Sequence, residues 1–367
     1  MQSENLTAKI PRQSNIELLR IVAMSMIIAH HFSFHGGFTF SSDTITATRF
    51  WVQFLLIGGK IGVNIFMLIS GYFLVSAKSL KTNKVLKLWL QIFTYSVGIF
   101  IVFSLCGAET FGIKKLIKLC FPITYSQWWF ASTYFVLYLL SPYINRLLHS
   151  FDKKQYQHFL LLLGFCWCII PTLTAQANQS NYLLWFVFLY AFAGYIKLFK
   201  PRTNIKGSTY IWMSIAVTLL TFLSAVVSDF LGTKIEFFYK NATILYGMRK
   251  FPIFLIAAMM FIGFLKTDIG YKPFINTVSS ATFGVYLIHD NKYIRPFLWK
   301  TLFKNASYAE SNLLIPYSLL VIAAVFIGCT VIELARIHIL EKRYTRALDS
   351  AADKIDRKIK KGLLQNH

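Results

Sequence analysis

Acidic residues are scarce in this chain. Fifteen aspartates and glutamates stand against 38 lysines and arginines in 367 residues, and charged side chains make up 14% of the total. A soluble domain carries about 25% charged residues. That shortage, with 56% hydrophobic residues, excludes an ordinary soluble protein and predicts an integral membrane protein. The apolar stretches lack period-two alternation, which excludes barrel strands as the spanning elements. Cysteine is rare too: Cys106, Cys120, Cys166, Cys168 and Cys329 lie in or beside apolar runs, odd in number and without zinc spacing. No metal is predicted, and their expected role is apolar packing. No compact basic domain carries the net charge of +23, so nucleic acid is not an expected partner. Membrane lipid is the expected partner instead, with basic loops orienting helices against anionic headgroups. No internal repeat is visible, which weakens an inverted-repeat transporter. The first apolar segment has no small-residue cleavage site after it, so no cleavable signal peptide is expected.

What is present is a series of apolar stretches of bilayer length. The first starts near Ser14, where Ser14 and Glu17 form a capping-box pattern, and ends near Gly36 and Gly37. Others lie at roughly 51–76, 85–106, 127–148, 158–173, 182–199, 210–231, 243–265, 274–303 and 312–335, the ninth stretch long enough to contain a break. The expected fold is an all-α, polytopic integral membrane protein of about ten transmembrane helices. Most lysines and arginines fall on the side that holds the termini, and the surplus rests on the termini themselves. The positive-inside rule therefore places both termini in the cytoplasm. A membrane domain is expected over 1–340, followed by a basic cytoplasmic tail over 341–367. The segment Phe111–Phe121, with Lys114, Lys115 and Lys118, has the amphipathic spacing of a helix lying in the interface plane.

Two residues in the first stretch are expensive in lipid: Arg20 and His31. An ionisable residue in a membrane helix costs about 2.5–3.5 kcal/mol and signals function by default. Eleven residues span close to three helical turns, so the two share a face about 16 Å apart along the axis. His31, near the outer end, is the candidate general base. His30 is rotated about 100° away and is expected to pack or meet headgroups. The second stretch, from Gly58 through Asn64 and Ser70-Gly71-Tyr72-Phe73, has the small residues that let helices approach closely or leave room for a thin substrate arm. Asn64, Ser70 and Tyr72 are candidate donors to a developing oxyanion. Lys78, Lys81, Lys84 and Lys87 follow, either as an orienting charge run or as the place where a cytosolic phosphorylated donor arrives. Trp128-Trp129-Phe130 reads first as an interfacial aromatic belt. Arg249, Lys250, Lys292 and Arg295 either snorkel to headgroups or form a cationic wall toward an anionic substrate. His289 sits in the ninth stretch toward the same outer side as His31.

Ile16-Glu-Leu-Leu-Arg20 leading to His31, Gly62-Val63 through Phe66 to Ser70-Gly71-Tyr72-Phe73, Trp129-Phe130 with Tyr138 and Pro142, and Tyr286-Leu-Ile-His289 occur in an order that resembles the bacterial membrane acyltransferase type-three family. That family usually has Asp where Glu17 stands. The resemblance implies O-acyl transfer, usually of acetyl from acetyl-CoA, to hydroxyls of cell-surface or lipid-linked glycans in a bacterial plasma membrane. It implies that Arg20 and His31 are needed for activity, and that Lys84 and Lys87 match a basic pair that contacts the donor nucleotide. Family members often have Arg at that pair, and lysine loses bidentate phosphate recognition. Asn64, Ser70, Tyr72, Trp129, Arg249 and His289 are then the candidates on the acceptor side. Many relatives carry a C-terminal esterase-like domain that is not seen here, so transfer is expected to be completed by the membrane domain or by a separate partner. A homo-oligomer is left open. The competing readings are a transporter or flippase for lipid-linked sugars and a glycan polymerase, the latter disfavoured by the lack of a large outer loop.

Overall fold

The computed structural model describes residues 12–41, 45–174, 176 and 179–364, with side chains as far as 357. The outer ends of the expected domain and tail, 1–11 and 365–367, lie outside the described residues. The chain is an all-α polytopic membrane protein, with no strand among the described residues. In order, the helices are α1 (Ser14–Phe34), α2 (Ala47–Leu74), α3 (Thr82–Leu105), α4 (Ile113–Cys120), α5 (Trp129–Ser150), α6 (Lys153–Gly164) and α7 (Ile170–Thr174). They continue with α8 (Tyr182–Phe199), α9 (Gly207–Gly232), α10 (Glu236–Lys240), α11 (Phe251–Leu265), α12 (Pro273–Ser280) and α13 (Thr282–His289), and end with α14 (Ile294–Pro296), α15 (Leu314–Arg336) and α16 (Lys342–Leu364). A π-helical turn over Phe165–Ile169 joins α6 to α7. Eight helical segments among the described residues are long and apolar enough to cross a membrane. The stretches expected at 127–148 and 274–303 are not in that set. The second of these is broken into α12, α13 and α14, as its length suggested.

α1 and α2 run antiparallel at the centre, and α2 also packs on α8 and α11. The contact of α1 with α2 is set by three glycines on α2. A Cβ at Gly58 would lie 2.8 Å from the Met26 carbonyl oxygen, one at Gly59 2.3 Å from His30 Cγ, and one at Gly62 2.6 Å from the Ala23 carbonyl oxygen. The glycine-rich second stretch is thus a close-approach seam. Gly62→Ala would push its methyl into main chain that cannot rotate away, at a cost of about 1–3 kcal/mol. The expected readout is a lower thermal unfolding midpoint for the solubilised protein. An unchanged midpoint would show that the helices part freely.

The lipid face and the interior follow opposite chemistry. α9 exposes Trp212, Leu219, Leu220, Leu223, Val227 and Phe230, and α15 exposes Leu319, Leu320, Ile327 and Val331. The interior holds Asn64, His289 and Glu333, each fully buried. Such groups survive in a dry interior only when paired. Glu333 accepts from Gln91, Tyr95 and Arg336, and Arg336 also reaches Glu341 at 2.7 Å. Arg49 pairs with buried Asp229, tying the start of α2 to the end of α9.

The expected capping box at the start of α1 does not form. Ser14 Oγ donates to Asn276 Oδ1 at 3.0 Å and accepts from the Lys272 N–H at 2.8 Å, while Glu17 accepts from Ser279 Oγ. Both side chains therefore bind α1 to α12. A tertiary donor from a neighbouring helix outcompetes the local cap, because it satisfies the same lone pairs in a drier place.

Candidate active site

His31 lies in the last turn of α1, and His289 is the last residue of α13. Packing of α1 on α13 brings the two imidazoles together, with His31 Nδ1 2.9 Å from His289 Nε2. His289 Nδ1 lies 2.6 Å from the Val285 carbonyl oxygen. A carbonyl only accepts, so His289 Nδ1 carries the hydrogen and donates. With both rings neutral, His289 Nε2 then accepts from His31 Nδ1–H. One proton arrangement follows along the chain, and it leaves His31 Nε2 with a bare lone pair.

That nitrogen faces Asp290 Oδ1 at 3.8 Å. The same carboxylate oxygen lies 3.8 Å from His35 Nε2 and 3.4 Å from Arg295 Nε. His35, just beyond α1, is held neutral down to about 4 by burial and by Arg295 nearby. A proton taken up by His31 would meet the Asp290 carboxylate and the negative C-terminal ends of two helices, which favour a cation by about 0.3–1 kcal/mol each. Burial and the nearby Lys60 ammonium oppose that charge, so the Asp290 carboxylate is the group that would receive the imidazolium.

His31 lines a small cavity of about 40 Å³, together with His30, Lys60, Phe66, Trp129 and Tyr286. The Lys60 ammonium lies 5.8 Å from the centre of the Trp129 ring. The Tyr286 hydroxyl is buried beside the Asp290 carboxyl and the Phe130 main chain. His30 donates from Nδ1 to the Leu56 carbonyl at 2.7 Å and stacks on Phe34, so it packs as expected while also forming cavity wall.

Arg20 lies on the same helix toward the Ser14 end, its Nε 3.8 Å from Glu17 Oε2 and without a hydrogen bond. Tyr134 lies within electrostatic reach of it, and Ser70 is a partner of the Tyr134 hydroxyl. Further along, an open cavity of about 950 Å³ faces the Ser14 side, and Arg12, Tyr72, Lys200, Arg202 and Lys266 are in its wall. Lys84 and Lys87 are not in that wall. They sit on the first turns of α3, and Lys87 pairs with Glu341.

Several expected acceptor contacts are occupied elsewhere. Asn64 donates to the Met248 carbonyl and accepts from Trp185 Nε1, both at 3.0 Å, and is fully buried. No lone pair or proton in reach of a substrate remains on it. Ser70 Oγ donates to the Phe66 carbonyl at 2.8 Å, and the Tyr72 ring lies under Lys197 on the opposite side of the protein from His31. Arg249 donates to the carbonyl and hydroxyl of Ser180, both at 2.6 Å. His289 has both ring nitrogens engaged, so it positions His31 instead of meeting an acceptor. Trp129 does line the cavity. Lys60, His35, Tyr286 and Asp290 carry no role in the sequence reading. The adjacency of Asp290 to His289 was the signal that could have found it.

His31, His35 and Asp290 bring three ligand-type atoms within 4.8 Å of one another. The donor set of two imidazoles and a carboxylate has metal-binding chemistry, but Arg295 already supplies a positive charge to that carboxylate. Chelation is therefore expected to leave activity unchanged. Loss with EDTA and recovery with zinc would reassign His31 as a ligand.

A family model described as an acyltransferase domain matches residues 13–334. No curated protein and no solved structure matches the chain.

Proposed function

As a member of this acyltransferase family the chain is an acyltransferase of the membrane, and we propose that it moves an acetyl group from acetyl-CoA to a hydroxyl of a cell-surface or lipid-linked glycan. The setting proposed is a bacterial plasma membrane, with the Ser14 side cytoplasmic and the acceptor on the His31 side. The observation that carries the reading is the proton arrangement through Val285, His289 and His31, which leaves an unprotonated nitrogen on a residue of the cavity wall.

The donor nucleotide is assigned to the basic cavity on the Ser14 side, where Arg12, Lys200, Arg202 and Lys266 offer charge to phosphates. This replaces the assignment to Lys84 and Lys87, neither of which lines that cavity. The donor's thin arm passes Tyr72, Ser70 and Arg20 toward His31. There, His31 Nε2 takes the proton of the acceptor hydroxyl while its oxygen attacks the thioester carbonyl. The carbon–oxygen bond forms, the carbon–sulfur bond breaks, and the imidazolium returns the proton to the departing thiolate. Lys60 and Tyr286, which line the cavity, take the place of Asn64, Ser70 and Tyr72 as donors to the oxyanion.

Purified protein in lipid nanodiscs, given radiolabelled acetyl-CoA, is expected to cleave the thioester and pass label to a glycan acceptor. Arg20→Ala should raise KM for acetyl-CoA about tenfold or more, as expected for the loss of a hydrogen bond to a charged group. Glycan movement without thioester cleavage would overturn the enzyme mechanism proposed here.

A further inference from the structure

Arg20, Met24, Ile27 and His31 follow one another on α1 at steps of four, three and four residues, the spacing of a single helix face. Lys60, Val63, Phe66 and Ser70 follow the same kind of spacing on antiparallel α2. Each row is polar at both ends and apolar in the middle. The cavity beside His31 lies at that apolar middle. Met24, Ile27, Val63 and Phe66 line it, and Phe130 of α5 and Phe283 of α13 add to its wall. This stretch of wall offers almost no hydrogen bonding, so it suits a group that needs none.

The wall is also stiff. The Phe130 ring centre lies 6.4 Å from that of Phe66, 6.2 Å from Tyr134, and 5.6 Å from both Phe186 and Tyr286. Phe130, Met24, Ile27 and Val63 are all buried. Interlocked rings do not make room for an added methylene without displacing their own neighbours. At about 40 Å³ the cavity admits a group of a few non-hydrogen atoms. A donor that arrives past Arg20 brings its acyl end first. With the thioester carbonyl at His31, the acyl carbons then meet this wall.

We propose that this wall measures the acyl group and holds it to two carbons, with Phe66 and Val63 as the residues that set the limit from α2. The proposal rests on the acyltransferase reading above and names the side chains that choose its donor. Each methylene beyond acetyl is expected to cost about 10- to 200-fold, the usual discrimination of an apolar pocket. Phe66 is the better side chain to shorten, because Phe130 is the hub on which the other rings pack.

The full chain in nanodiscs is titrated with S-ethyl-, S-propyl- and S-butyl-coenzyme A, thioethers that carry the chain but have no carbonyl to attack. S-ethyl-coenzyme A is expected to bind best, and each longer chain about tenfold or more worse. Phe66→Leu, which removes a ring, should bring S-butyl binding about tenfold or more closer to S-ethyl. Val63→Ile, which adds one methylene to the wall, should instead widen the gap between S-ethyl and S-propyl. A general loss of folding cannot shift the two ratios in opposite directions. Equal or rising affinity along the series, or a chain-length preference that ignores both substitutions, overturns the proposal. Cleavage of acetyl-, propionyl- and butyryl-CoA is followed in the same discs. If acetyl-CoA is cleaved while the thioethers bind without regard to length, only the size limit is wrong. If the thioethers bind in the stated order but no thioester is cleaved, the catalytic reading fails alone. Binding of none of the three removes the donor and overturns both.

Discussion

His31→Ala protein that is still inserted and folded is expected to lose about 10²- to 10⁴-fold in kcat, the usual contribution of a positioned general base. The acceptor hydroxyl must lose its proton as it attacks, and His31 Nε2 is the lone pair that the arrangement through His289 leaves vacant. KM for acetyl-CoA should move little, because the expected donor contacts lie about 16 Å away along α1, toward Arg20. The alanine also leaves space of the ring's size, so added imidazole should restore part of the rate. Transfer is measured with labelled acetyl-CoA, and an unchanged unfolding midpoint shows that the variant is intact. Wild-type kcat in that variant would sink the base assignment.

Replacing His289 is the next largest expected loss. In His289→Leu the Nδ1–H of His31 loses its acceptor, and a buried donor left unpaired costs about 1–3 kcal/mol. The ring can escape by moving its proton to Nε2, which removes the base, or by rotating away from the cavity. Either escape lowers kcat by about 10- to 100-fold, matching that energy range. His289→Gln should recover much of the loss, since an amide oxygen can accept from His31 while its nitrogen donates to the Val285 carbonyl. A packing role alone would not separate Leu from Gln in kcat at constant stability. Equal kcat values for the two variants would reduce His289 to a core residue.

Arg20 and His31 could be paired by sequence because both lie on one helix, where position is a function of residue number alone. The close-approach role of Gly58, Gly59 and Gly62 was legible for a similar reason: a run of small residues in an apolar stretch has few other uses. Ser14 and Glu17 misled because a capping pattern describes only local partners, and Asn276, Lys272 and Ser279 come from more than 250 residues away. Lys87 misled in the same way, through Glu341. Asn64 showed its polarity in the sequence but not its two occupied partners, Met248 and Trp185.

By itself, then, the sequence determined the class of the protein. The shortage of charge, the length of the apolar stretches and the ordered motifs are sums over neighbouring residues, and they suffice for an all-α membrane acyltransferase with Arg20 and His31 on one face. Only the tertiary structure decided what His31 can do. Its basicity depends on which nitrogen carries the proton, and that is set by His289 on α13, by the Val285 carbonyl behind it and by Asp290 opposite. These groups meet because α1 packs against α13. A hydrogen bond reaches about 3 Å, and no pattern along one helix specifies which residue of another will stand at that distance.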